Sequence, residues 1–193
     1  MMLDDVGFRW LNEPADSTRS ATELAIIAGA RTDWFVDPGT GTVKADAPAL
    51  LASRSGDYVF SARVTADLAA TFDAGALVLW HDERTWAKLA LELSPQGEPM
   101  VVSVVTRGTS DDCNSRVVGG NSLWLRIARI GAAHAFHASS DGRLWDLVRH
   151  FSLGDPQLEL GFEAQSPTGA GCRAVFSDVR LETRTLADLR SGD

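Results

Sequence analysis

The chain has 193 residues, 45% of them hydrophobic and 23% charged, and carries a net charge of −8. A chain of this size reads as one globular domain, residues 1–193, able to bury about 70% of its unfolded surface without cross-links. The acidic balance speaks against nucleic acid and membrane surfaces as partners, because both need a basic footprint.

The opening segment MMLDDVGFRW has no basic region followed by an apolar stretch, so no signal peptide is read there. No apolar run approaches the ~18 residues of a membrane span. Cys113 and Cys172 are too few and too isolated for a disulfide framework or a zinc site. A soluble, cytoplasmic protein with free thiols is the expectation.

Short β-type runs then follow one another. They are ELAII (23–27), YVFSARV (58–64), GALVLWH (75–81), WAKLALEL (86–93), MVVSVVTR (100–107), LWLRIARI (123–130), AHAFHAS (133–139), LWDLVRHF (144–151), LELGFEA (158–164) and RAVFSDVRL (173–181). Turn signals such as DPGTG, SPQGEP, SSDG, LGDP and SPTGAG separate them. Many short strands with closely spaced turns predict an all-β, antiparallel sandwich or barrel with little helix. Asp141-Gly142 is a favoured hairpin pair, closing 133–139 onto 144–151. SPQGEP joins WAKLALEL to the strand after it. The final TLADLRSGD reads as a short helix or a frayed tail.

WAKLALEL alternates without exception. Ala87, Leu89, Leu91 and Leu93 form the apolar set, and Trp86, Lys88, Ala90 and Glu92 point the other way. An outward face holding an aromatic ring, an ammonium and a carboxylate suits a ligand as well as solvent. Lys88 and Glu92 lie about 13 Å apart along a strand, so each needs a partner on a neighbouring strand or a ligand. Strand 100–107 is expected to add Ser103, Val105 and Arg107 to this surface. Strand 123–130 is expected to add Trp124, Arg126 and Ala128, and GFEAQ to add Glu163 and Gln165. Trp34 and Trp145 are expected under loops, and Trp80 is ambiguous because both faces of its strand are apolar.

The set FDAGALVLWHDERTWAKLALEL, VVTRGTSDD, WLRIARIG, SSDGRLWDLVRHF and LGFEAQSPTGAGCRAVFSDVRLE, with FRWLNEP and TDWFVDP before it, covers residues 6 to 182. In combination it resembles the uncharacterised concanavalin A-like family that includes the fungal regulation-of-enolase protein. It is also similar to the C-terminal β-sandwich of some β-xylosidases. The resemblance implies a two-sheet jelly roll whose concave sheet commonly holds carbohydrate, and it supplies no reaction. It draws attention to Ser110 and Asp111, which match the family's S-D step, while Cys113 departs from the aromatic that often follows.

The remaining chemistry is sparse. His134 and His137 fall on opposite faces of one strand and cannot chelate one ion together. With His81 and His150 they read as surface or edge histidines. The loop SDDCNS gathers Asp111, Asp112 and Asn114 without calcium-loop spacing, so it reads as an acidic turn and no metal is expected. No Glu is followed two positions later by Asp, the arrangement in related glucanases, and no G-x-S-x-G or G-x-G-x-x-G occurs. No cofactor is implied.

The leading expectation is a ligand-binding jelly roll that recognises a carbohydrate or sugar-like small molecule without two-carboxylate glycosidase chemistry. Its ligand-binding residues are Trp86, Lys88, Glu92, Arg107, Ser110, Asp111, Trp124, Arg126, Glu163 and Gln165. One alternative is a lyase, isomerase or cyclase on the same scaffold, with Glu92, Lys88 and His81 as proton-transfer candidates. Another is an interaction protein that regulates a metabolic enzyme. Homo-oligomerisation stays open.

Overall fold

The computed structural model describes residues 7–154 and 157–193. Residues 1–6, and residues 155–156 of the LGDP turn, lie outside the described residues.

In chain order the strands are β1 (Arg9–Leu11), β2 (Asp16–Arg19), β3 (Leu24–Gly29), β4 (Trp34–Val36), β5 (Val43–Ala45), β6 (Ala49–Ser53), β7 (Tyr58–Ala66) and β8 (Ala74–Asp82). They continue as β9 (Thr85–Leu93), β10 (Pro99–Arg107), β11 (Thr109–Val117), β12 (Ser122–Ile130), β13 (Ala133–Ser139), β14 (Asp146–Ser152), β15 (Glu159–Gln165) and β16 (Gly171–Glu182). Sheet I has the order β1-β6-β15-β8-β9-β10-β11, sheet II the order β14-β13-β12-β7-β16-β3-β2, and β4–β5 forms a separate hairpin. The pairings within all three are antiparallel. The molecule is an all-β sandwich, as the short strands and turns predict, and of the jelly-roll kind that the resemblance implies. Among the described residues there is no helix, and so none long and apolar enough to cross a membrane.

One apolar face of each sheet meets the other. Leu77, Leu79, Leu89, Leu91 and Phe162 of sheet I pack against Phe60, Val64, Leu125, Ile127 and Phe176 of sheet II. The opposite face of sheet I is also covered. Trp34 on β4 lies over it, with ring centroids 4.4 Å from Trp80 and 5.9 Å from Trp86, in a cluster that includes Ala90, Val102 and Val104. The Trp34 indole N–H donates to the Ala47 carbonyl at 3.0 Å, fixing the hairpin there. A central strand buried on both faces reads apolar throughout, which resolves the ambiguity at Trp80.

The terminal segment is neither helix nor frayed tail. Leu186 and Leu189 pack with Val59, Ala128 and Ala135 on the outer face of sheet II. The histidine expectation also needs correction, since His134 and His137 are buried. They do face opposite ways: His134 stacks on Phe151 at 5.7 Å, while His137 Nε2 meets the Leu189 carbonyl at 2.7 Å. Burial holds both rings neutral, with pKa values pushed down to about 4, and nearby Arg129 and Arg126 respectively add to the effect.

Candidate functional site

The hairpin β4–β5 leaves part of sheet I's outer face uncovered at the Glu92 end of β9. There a pocket of about 130 Å³ opens, with Lys88, Glu92, Val104 and Gln165 from sheet I on its walls. Asp33 and Phe35 from the hairpin side, Phe72 from the loop before β8, and Asp112 from β11 complete it.

Lys88 lies at the centre of the polar network and is only 2% exposed. Its ammonium donates to Gln165 Oε1 at 2.6 Å, the Trp34 carbonyl at 2.7 Å and Asp33 Oδ1 at 3.5 Å. Its Nζ is also 5.6 Å from the Trp86 ring centroid. Burial favours the free amine, but Asp33, Glu163 and Glu92 together outweigh it and hold the group protonated.

The carboxyls around Lys88 respond in the opposite sense. Burial pushes Glu92 up to about 8, against the pull of Lys88 and with help from Asp112, Asp33 and Glu163. Burial likewise pushes Glu163 up to about 7. Glu163 is fully buried, and neither of its carboxyl oxygens has a hydrogen-bond partner. Glu92 accepts one long bond, 3.4 Å from Gln165 Nε2.

The SPTGAG turn sets the geometry of the pocket mouth. Ser166 donates to Asp73 Oδ1 at 2.7 Å, and Asp73 Oδ2 accepts from the backbone of Ala69 and Ala70. Thr168 donates to the Thr71 carbonyl at 2.7 Å. A Cβ at Gly169 would lie 2.6 Å from Ser166 Oγ and 2.8 Å from Ala70 Cβ, so only glycine fits. This clasp ties the 69–73 loop to the end of β15, placing Phe72 beside Gln165. Gln165 Nε2 then donates to the Phe72 carbonyl at 3.0 Å, and Phe72 itself has φ of +69°, rare for a bulky residue.

The structure divides the residues expected at the site. Lys88, Glu92, Glu163 and Gln165 come together on the outer face of sheet I. Trp86 shares that face but is fully buried under Trp34, so it offers a ligand no open ring. On β10 the assigned faces are reversed: Val102 and Val104 point outward, while Val101 and Val105 belong to the inter-sheet core. Arg107 therefore lies on the inter-sheet side, donating to the Ser152 carbonyl at 3.3 Å. Asp111 pairs with Arg149 of sheet II at 2.8 Å. Ser110 holds the hairpin, its Oγ accepting from the Val36 backbone N–H at 2.9 Å.

Trp124 and Arg126 lie on sheet II, facing away from sheet I. Trp124 lies under Arg63, and buried Arg126 stacks 4.3 Å from the Trp145 centroid and donates to the Gly192 carbonyl at 2.9 Å. His81 is exposed beside a wider groove of about 670 Å³ also lined by Arg54, Arg129 and Glu159. None of those charged groups is buried. Sequence reasoning missed Asp33, Phe35, Phe72 and Val104, and read Asp112 only as part of an acidic turn. The TDWFVDP motif, which contains Asp33 and Phe35, was the available signal.

Residues 10–184 match the model of a family described as protein of unknown function, DUF1349. The chain belongs to the DUF1349 family. A functionally unknown protein from Saccharomyces cerevisiae has a similar structure, with 26% identity, a TM-score of 0.85, and coverage of 92% of this chain and 97% of that one. The GH43 BlXynB protein from Bacillus licheniformis is 14% identical with a TM-score of 0.76, over 92% of this DUF1349 chain and 37% of that chain. The alginate lyase from Klebsiella pneumoniae is 12% identical with a TM-score of 0.54, over 89% of this chain and 85% of that one. No curated protein matches.

Proposed function

We propose that this protein binds a single small, polar, sugar-like molecule in the pocket between the β4–β5 hairpin and the 69–73 loop. The observation that carries this reading is the set of buried polar side chains, Lys88, Glu92 and Gln165, gathered at a cavity with Phe35 and Phe72 on its walls. Such a combination of apolar wall and a few fixed polar groups is the usual make-up of a small-molecule site. With Trp86 and Trp80 covered by Trp34, the face lacks the open aromatic platform that a polysaccharide chain would need. The GH43 likeness supports a carbohydrate-like ligand without adding a reaction. The free thiols of exposed Cys113 and buried Cys172 fit a reducing, cytoplasmic setting.

The test is calorimetry with a panel of monosaccharides and polyols on the protein and on Phe72→Ala. Phe72 is 37% exposed at the rim, so its removal leaves folding intact and should weaken binding. Equal binding by both proteins would place the ligand elsewhere.

A second reading has its own observation. Glu92, raised to about 8 beside a charged Lys88, is protonated at neutral pH in a partly desolvated pocket, as a general acid needs. In that case Glu92→Gln abolishes turnover while binding persists.

A further inference from the structure

The pocket's hydrogen-bond inventory bears on ligand charge. An ammonium has three donors, and those of Lys88 are taken by Trp34, Gln165 and Asp33. A glutamine amide has two, and those of Gln165 go to the Phe72 carbonyl and Glu92. The other polar side chains on the walls, those of Asp33, Glu92 and Asp112, are carboxyls. Once Glu92 is ionised, the side-chain polar groups left for a ligand are therefore acceptors.

Charge runs the same way. Asp33, Glu92 and Asp112 at the pocket, with Glu163 behind them, face the single ammonium of Lys88. Glu92 is 8% exposed with one long hydrogen bond, and Glu163 has none. A cluster of this kind contributes little to holding the sheet together, because a buried carboxylate without partners is destabilising. Phe35 and Phe72 complete the walls, and aromatic faces accept cations.

We propose that the ligand of this pocket is cationic: a protonated primary amine on a small polar body, its ammonium seated among Asp33, Glu92 and Asp112. The inference rests on the binding function proposed above and names the chemical class of the ligand. The seated ammonium supplies the donors the pocket lacks and offsets its surplus of negative charge. It also favours the ionised form of Glu92, so binding below about pH 8 expels a proton and affinity rises with pH. The groups facing Glu92 are Asp33 before β4, Lys88 on β9, Asp112 on β11, and Glu163 and Gln165 on β15.

The matched probes are 1-amino-1-deoxysorbitol and sorbitol, which differ by an ammonium in place of a hydroxyl. The neighbouring hydroxyl draws the amine's pKa below the ~10 of a simple alkyl ammonium, and the probe is still mostly charged from pH 6 to about pH 8.5. Calorimetry is expected to show the amine binding about tenfold tighter than sorbitol at about pH 8.5, with its advantage growing from pH 6 up to there. Asp112→Asn, at an exposed position on the rim, should remove most of the amine's advantage over sorbitol. Sorbitol binding as tightly as the amine overturns the charge assignment and leaves the sugar-like reading standing. An amine affinity that Asp112→Asn leaves intact is attraction to the acidic surface, and it overturns the assignment as well. No binding of either probe overturns both.

Discussion

Lys88 Nζ lies 2.6 Å from Gln165 Oε1, although their strands, β9 and β15, are separated by β8. On this face of β8, Ala74 opposite Gln165 and the neighbouring Ala76 carry only methyl side chains. The same ammonium reaches up to the Trp34 carbonyl, so one side chain ties the hairpin to both strands. Lys88 is thus a structural cation as well as part of the site.

Replacing Lys88 should therefore cost far more than an ordinary surface change. Lys88→Met leaves Asp33, Glu92 and Glu163 without their counter-charge and Gln165 Oε1 without a donor. The expected loss is about 3–5 kcal/mol, the range for breaking a buried pair by removing one partner. Urea unfolding at neutral pH measures it. A loss below about 0.5 kcal/mol would make Lys88 an ordinary solvated side chain.

Trp86→Ala separates core from platform. Trp86 packs fully buried against Trp34, so its truncation should cost about 3–5 kcal/mol. A ligand platform would instead lose affinity and keep its stability. The melting temperature distinguishes the two.

Much of the fold was legible because alternation reports burial wherever one face is polar. Each of the ten predicted runs coincides with a strand from β3 to β16. The missed strands are short, or exposed like β11, whose TSDDCNSRV pairs with β10 alone at the sheet edge and carries no apolar period. The site was harder to read for two physical reasons. On β10 both faces are apolar, so periodicity defines two faces without saying which meets the other sheet, and the faces were interchanged. For Trp124 and Arg126 the face was read correctly, opposite Leu123 and Leu125, but alternation is local and cannot say to which sheet a strand belongs. Glu163 and Gln165 were legible because polar residues interrupt an otherwise apolar run.

The raised carboxyls make stability depend on pH in a defined window. An unfolded Glu titrates near 4.3, whereas the folded pocket holds Glu92 at about 8 and Glu163 at about 7. The folded state thus binds more protons than the unfolded one between those values, and stability falls as pH rises through the interval. His134 and His137, held down at about 4, act oppositely: their contribution is present above about pH 6.5 and is lost as pH falls toward 4. The two effects offset one another below about pH 6.5, leaving a net decline from there to about pH 8. Glu163→Gln should flatten part of that decline and raise stability at pH 8 by about 1–3 kcal/mol. Thermal melts of both proteins across this range would show it, and parallel curves would remove Glu163 from the cause.

Ser166→Ala tests whether the SPTGAG clasp shapes the pocket from a distance. Its hydroxyl donates to the fully buried Asp73 carboxylate and accepts from the Gly171 N–H at 3.2 Å. Removing it leaves Asp73 Oδ1 short of a donor, for an expected loss of about 1–3 kcal/mol. The 69–73 loop then loses one of its ties to β15, while the Gln165 bond to the Phe72 carbonyl remains. Phe72 is held at φ +69°, so a loosened loop should relax toward a less strained conformation and withdraw its ring from the pocket mouth. Ligand affinity should fall about tenfold although Ser166 is not on the pocket wall. Thr168→Val removes a different tie, the bond to the Thr71 carbonyl, and should weaken the ligand in the same direction. If both variants lose stability but bind the ligand as tightly as the parent, the clasp serves folding alone and Phe72 is positioned by Gln165.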